Sequence, residues 1–92
     1  MVNIKPVNLS GTYRTDRLIN LKKADIVNAL GFEPNADDDP DKVVNSWSFT
    51  IDGEPCAIWD YKGSHMYDEW SVFDPAKVID KVFSAENIES RS

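Results

Sequence analysis

Three groups of residues have types and spacings that could do chemistry. The run Glu33-Pro34-Asn35-Ala36-Asp37-Asp38-Asp39-Pro40-Asp41 places five carboxylates in nine positions. Carboxylates this dense either bind cations or imitate a phosphate track toward lysine and arginine. A calcium loop of the EF-hand type needs acids at alternate positions, a glycine sixth and a glutamate twelfth, and three consecutive aspartates followed by a proline break that spacing. Weak divalent-cation binding stays open, and the other functional reading is a basic protein surface engaged by Glu33, Asp37, Asp38, Asp39 and Asp41. The bland alternative is a solvated connector in which one aspartate caps a turn at Pro40.

The second group is Trp59-Asp60-Tyr61-Lys62. Trp59 or Tyr61 could stack a ring, with Asp60 and Lys62 supplying polar contacts. The run lacks the strand-to-helix placement and glycine spacing of a phosphate loop, so it describes a small-ligand or nucleotide site without naming its class, either in one chain or across a homodimer. Asp60, opposite Asn45 at the margin of the core face, has a competing use as a structural hydrogen-bonding residue served by Asn, Lys or backbone donors. The third group is Cys56 and His65. A thiol nucleophile must lie within hydrogen-bond reach of its base, yet Cys56 falls near the start of a strand-like run and His65 beyond its far end, roughly 13 Å away or more at about 3.3 Å per residue. Cys56 therefore reads as a small core residue facing Phe49, and His65 as a loop residue. No residue is assigned a catalytic role, and the chain reads as a non-enzyme.

Simple counts narrow the class further. One cysteine and one histidine cannot make an internal disulfide or a four-ligand Cys/His zinc site, so no metal or cofactor is expected and a reducing compartment is. No apolar run approaches the roughly 18 residues that span a bilayer, and the first residues, with Lys5, Pro6 and Asn8, lack a signal-peptide core, which points to the cytoplasm. Ninety-two residues, 41% of them apolar, suit one small domain. The net charge of -6 argues against direct nucleic-acid binding and for a basic partner. That charge is unevenly laid out, with +3 over residues 1–31 and -7 over residues 32–60. Arg14, Arg17, Lys22 and Lys23 form the basic concentration and are available to neutralise the acidic loop from within.

The elements that must position these groups follow from periodicity. Residues 22–30 predict a helix, with Ile26, Val27 and Leu30 apolar and Gly31 placed for a left-handed C-cap. Residues 45–51 alternate Trp47, Phe49 and Ile51 with serines and threonine, and Asp52-Gly53 turns the chain into a partner strand at 54–61. A two-residue turn pairs Ile51 with Glu54, Phe49 with Cys56 and Trp47 with Ile58. A third strand is expected at 67–73, burying Trp70 and Val72. Asp74 as N-cap and Pro75 as first helical residue predict a second helix over 75–83, with Val78, Ile79, Val82 and Phe83 on one stripe.

The expected fold is thus α+β, a three-stranded antiparallel meander with two helices on its Trp47/Phe49/Ile58 face. Residues 1–20 add an N-terminal strand or arm, 32–44 form the acidic loop, and 84–92 are a flexible tail. Trp59 and Tyr61 then belong to the opposite face, to be covered by Ile4, Val7, Leu9 and Tyr13 of the arm or by a second copy.

The order helix, three strands, helix resembles that of double-stranded-RNA-binding domains. Those domains open the second helix with lysines that contact phosphates, whereas Asp74 and Pro75 stand there in this chain, so the resemblance implies no RNA binding. In size, acidity and lack of catalytic residues the chain looks like short phage-encoded inhibitors of host enzymes. That resemblance implies a protein that masks a basic, nucleic-acid-binding surface. The acidic loop would give reach, and Trp59, Tyr61, Tyr67 and Phe73 would give desolvated anchors. A structural or assembly subunit is a further reading.

Overall fold

The structure is a computed structural model and describes residues 2–9, 11–35, 43–61 and 64–90. They form β1 (Ile4–Pro6), β2 (Asp16–Leu18), α1 (Lys23–Leu30), β3 (Val43–Ile51), β4 (Glu54–Tyr61), β5 (Trp70–Phe73) and β6 (Ile88–Ser90), with single 3-10 turns at Ser64–Tyr67, Ile79–Lys81 and Ala85–Asn87. All pairings are antiparallel, in the order β1-β3-β4-β5-β2-β6. The expectation of three strands and two helices is therefore corrected. The architecture is a six-stranded antiparallel sheet with one helix among the described residues.

The central hairpin follows its sequence pattern. Asp52 and Gly53 both take positive φ, 51° and 88°, as a two-residue type I′ turn requires. Ile51 consequently faces Glu54, Phe49 faces Cys56 and Trp47 faces Ile58. Near the start of β3 the register shifts between Val43 and Ser46. Asp60 holds that bulge, its carboxylate accepting the Asn45 backbone N–H at 2.8 Å and the Asn45 Nδ2–H at 3.1 Å. Asp52 ties the turn to two other segments by accepting the Asn3 backbone N–H at 2.8 Å and the Lys81 ammonium at 3.1 Å. These partners, the Asn3 N–H first and Lys81 second, draw its carboxyl below the ordinary value.

One face of the sheet carries the core. Trp47, Phe49, Ile51, Cys56, Ile58, Trp70, Val72 and Leu18 are fully buried there beneath Ile26 and Leu30 of α1 and Val78, Ile79 and Phe83. α1 itself begins where the Asp25 carboxylate accepts the Lys22 N–H at 2.8 Å and ends at Gly31, with φ 91°. The two core indoles meet edge to face at 5.4 Å and grip opposite ends of this helix. Trp70 Nε1–H donates to Leu21 O at 2.9 Å, just before the helix, and Trp47 Nε1–H donates to Phe32 O at 3.0 Å, just after it.

Three further differences from the sequence pattern have local causes. The strand expected over 67–73 starts only at Trp70, because Asp68 takes a left-handed φ of 58° and ends the preceding 3-10 turn. No α-helix forms over 75–83, where Lys77 takes φ 58° and interrupts helical winding. The Asp74 carboxylate instead accepts the N–H groups of Val78 and Ile79 at 2.9 and 3.0 Å, two residues further on than a helix N-cap would reach. Residues 85–90, expected as a tail, form a 3-10 turn and β6, which pairs with β2. That pairing is reinforced by Asn87, whose Nδ2–H donates to Ile19 O at 2.9 Å, and by the ion pair of Arg17 with Glu89.

Candidate functional site

The predicted site residues fall into three places. Asp37, Asp38, Asp39, Asp41 and Lys62 lie outside the described residues. Glu33 is exposed after the C-cap of α1, with Lys23 Nζ 3.7 Å from its carboxylate, beside a surface depression of about 420 Å³ lined by Lys23, Ala24, Val27, Asn28 and Glu33. From there Asn35 runs along the edge of β3, donating its N–H to Ser46 O at 3.0 Å and accepting from Ser48 N at 2.9 Å. The chain rejoins the described fold at Val43, which pairs with Tyr61. The connector that follows β4 leaves from that same end of the sheet and carries Met66 and Tyr67, both 76% exposed, and then Asp68 and Glu69.

The second place is the sheet face opposite the core. Ser46, Trp59, Ser71 and Arg17 stand side by side across four strands, and Ala57 lies opposite Phe73. Trp59 and Phe73 are half-buried, with the small side chains of Ser46, Ser48, Ala57 and Ser71 tucked between the large ones. Tyr13 packs edge-on against Phe73 at 5.1 Å and is itself 60% exposed. The N-terminal arm thus contributes Tyr13 to this face, and Val7 N–H donates to Ser48 O at 3.0 Å. Ile4 goes elsewhere, pairing with Ile51 and packing on the core. Because successive strand residues point to opposite faces, Trp59 and Asp60 are separated by the thickness of the sheet. A ring stacked on Trp59 does not meet the Asp60 carboxylate, which is fully buried at the bulge.

The third place is the core, where Cys56 is fully buried against Phe49. Its thiol lies 3.7 Å from Asp74 Oδ1, and its pKa is pushed up from 9.0 to about 12, first by burial and then by the charge and hydrogen bond of Asp74. A thiol held protonated is a poor nucleophile. The unfolded thiol loses its proton near pH 9.0 and the folded one near 12, so this contribution to stability is fully present below pH 9 and is lost as pH rises toward 12. A disulfide-exchange reagent at pH 8 is expected to leave Cys56 untouched in the folded protein and to titrate it fully in denaturant. Rapid labelling of the native chain would contradict the buried assignment.

Three residues of the basic concentration, Arg17, Lys22 and Lys23, have carboxylate partners among the described residues. Arg17 pairs with Glu69 at 3.2 Å and with Glu89, Lys22 with Asp68 at 3.4 Å, and Lys23 with Glu33. Exposed pairs such as these contribute about 0–1 kcal/mol each. Arg17 and Lys22 thus meet carboxylates outside the acidic loop, whereas Lys23 meets Glu33, the first carboxylate of that loop. A buried carboxylate that the sequence pattern did not single out is Asp16, 1% exposed, which accepts the Lys77 ammonium at 2.8 Å. Its aspartate type on a three-residue strand carries no periodic signal. The exposure of Met66 was likewise invisible to pattern, since exposure of an apolar residue depends on the path of the loop around it.

Among the described residues no group of three or more His, Cys, Asp or Glu side chains is disposed to hold a metal ion. Nor is any described helix long and apolar enough to cross a membrane. Compared with protein-family models, with curated proteins and with solved structures, the chain gives no match.

Proposed function

We propose that the protein is a non-enzymatic cytoplasmic binding protein that masks a basic, nucleic-acid-binding surface of a partner protein, as small phage-encoded inhibitors do. The observation that carries this reading is the pairing of Val43 with Tyr61. It brings the end of the acidic segment to the same end of the sheet as the exposed Met66 and Tyr67. Carboxylates supply steering toward lysine and arginine, and an exposed apolar pair supplies the desolvated contact that charge alone does not. Residues 36–42 carry a net charge of -3, half of the chain's -6. Engagement of Arg17 and Lys22 by Asp68, Glu69 and Glu89, all outside the acidic loop, supports an external cation as the counterpart of that loop. The single cysteine, buried and free, suits a reducing compartment.

The test is capture from cytoplasmic lysate at low salt, followed by competition. The captured protein is expected to be a basic nucleic-acid-binding protein that releases at high ionic strength and is displaced by a DNA or RNA oligonucleotide. Changing Asp37, Asp38, Asp39 and Asp41 together to Asn is expected to weaken binding by on the order of a hundredfold at low salt. Tyr67→Ala is expected to weaken it about tenfold while leaving the salt dependence unchanged. Undiminished capture by the four-Asn variant would sink the proposal.

A further inference from the structure

The segment that departs most from its sequence pattern is Asp74–Phe83, and the departure has a single physical focus. Asp74, Pro75 and the stripe Val78, Ile79, Val82 and Phe83 all encode a helix. The folded segment is instead a turn, closed by Lys77 N–H to Asp74 O at 3.2 Å, followed by one 3-10 turn at Ile79–Lys81. Lys77, the residue where the two conformations diverge, sits at φ 58°, a left-handed geometry unfavourable to a side-chain-bearing residue other than Asn or Asp. Its ammonium is bound to both oxygens of Asp16, at 2.8 and 3.1 Å. Asp16 is 1% exposed and holds one further contact, from the Thr15 hydroxyl at 2.9 Å. The lysine side chain is 57% exposed and borders a depression of about 110 Å³ lined by Asp16, Asp74, Lys77, Ile79, Asp80 and Ile88.

We infer that the Lys77–Asp16 ion pair is a latch that holds residues 75–83 in a strained turn, and that its release converts them to an α-helix. The two conformations draw on the same resources. Asp74 accepts two backbone N–H groups in the turn, those of residues 78 and 79, and as an N-cap it would accept those of the first helical turn instead. Val78, Ile79 and Phe83, buried in the turn, lie on one stripe in a helix and can cover the same sheet face. What the helix cannot keep is Lys77 on Asp16 with Lys77 left-handed. A buried carboxylate without its cation is costly, so the ion pair and the strain are bound together. Neutralising an exposed ammonium therefore changes the backbone of a nine-residue segment, a coupling that local charge change can operate.

Backbone resonance assignment of the full chain tests this. In Lys77→Gln and in Asp16→Asn, Cα shifts of residues 75–83 are expected to move to helical values, with sequential amide-to-amide contacts appearing through Val82. Lys77→Arg, which retains a long cation, is expected to keep the turn pattern. Turn-like shifts in both neutralised variants overturn the latch, and so does loss of the whole fold in both without helical shifts. This outcome is independent of whether the acidic segment binds a partner.

Discussion

Asp74→Ala is expected to lower the folding free energy by about 3 kcal/mol and the melting temperature by about 12–24 °C. The reason is that Asp74 is fully buried and its two oxygens accept the N–H groups of Val78 and Ile79. Alanine leaves both donors inside the protein without a partner, at about 1–3 kcal/mol each. The Asp74 N–H itself, bonded to Thr15 Oγ1 at 2.8 Å, is unaffected by the substitution. Asp74→Asn retains one accepting oxygen and is expected to lose about half as much. Thermal unfolding followed by tryptophan fluorescence measures both. A shift of only a few degrees in the alanine variant would mean that water reaches those amides and that the cap is dispensable.

Trp47→Ala is expected to be the most damaging single change, costing about 3–5 kcal/mol from the cavity alone. A domain of this size holds only about 5–15 kcal/mol, so the variant is expected to be largely unfolded at modest temperature. The indole is fully buried, packs edge to face on Trp70 and fixes the residue beyond the C-cap of α1 through Phe32 O. Trp47→Phe separates these roles. Phenylalanine keeps most of the apolar volume and removes the N–H, so a loss of about 1–2 kcal/mol is expected from the stranded carbonyl and the reduced ring. Denaturant titration of the two variants gives both numbers. Equal losses would show that the hydrogen bond to Phe32, rather than packing, dominates.

These two residues also mark how much of the fold was readable in the chain. Trp47 sits in a run of strict alternation ending at Asp52-Gly53, a combination with one good solution, and the hairpin register follows from it. α1 was readable from Ile26, Leu30 and Gly31 for the same kind of reason. β1 and β2 were legible only as an N-terminal strand or arm and β6 not at all, because each has three residues and a strand that short cannot display a period. Asp74 shows the opposite failure, a strong local signal with two outcomes. An aspartate before a proline caps a helix or a turn equally well, and the choice is made by Asp16, 58 residues earlier in sequence, through Lys77. Of the candidate site, charge was legible from composition, whereas the pairing of Val43 with Tyr61 and the exposure of Met66 and Tyr67 depend on the bulge held by Asp60 and on the path of the chain before Trp70.

The sheet order has a consequence for how the molecule is assembled. β3 and β4 are joined by two residues and can pair as soon as they exist, within microseconds for an isolated hairpin. β2 is made early but has its two partners far downstream, Arg17 lying 72 residues before Glu89. It must wait in an unpaired state until both β5 and β6 are available, and the cost of closing so long a loop is met before any contact rewards it. Folding is therefore expected to proceed from the β3–β4 hairpin outward, on the timescale of milliseconds to seconds typical of nonlocal β pairing. Insertion of the Asp16-Arg17-Leu18 strand completes the sheet and seats the buried carboxylate beside Lys77 in the same event.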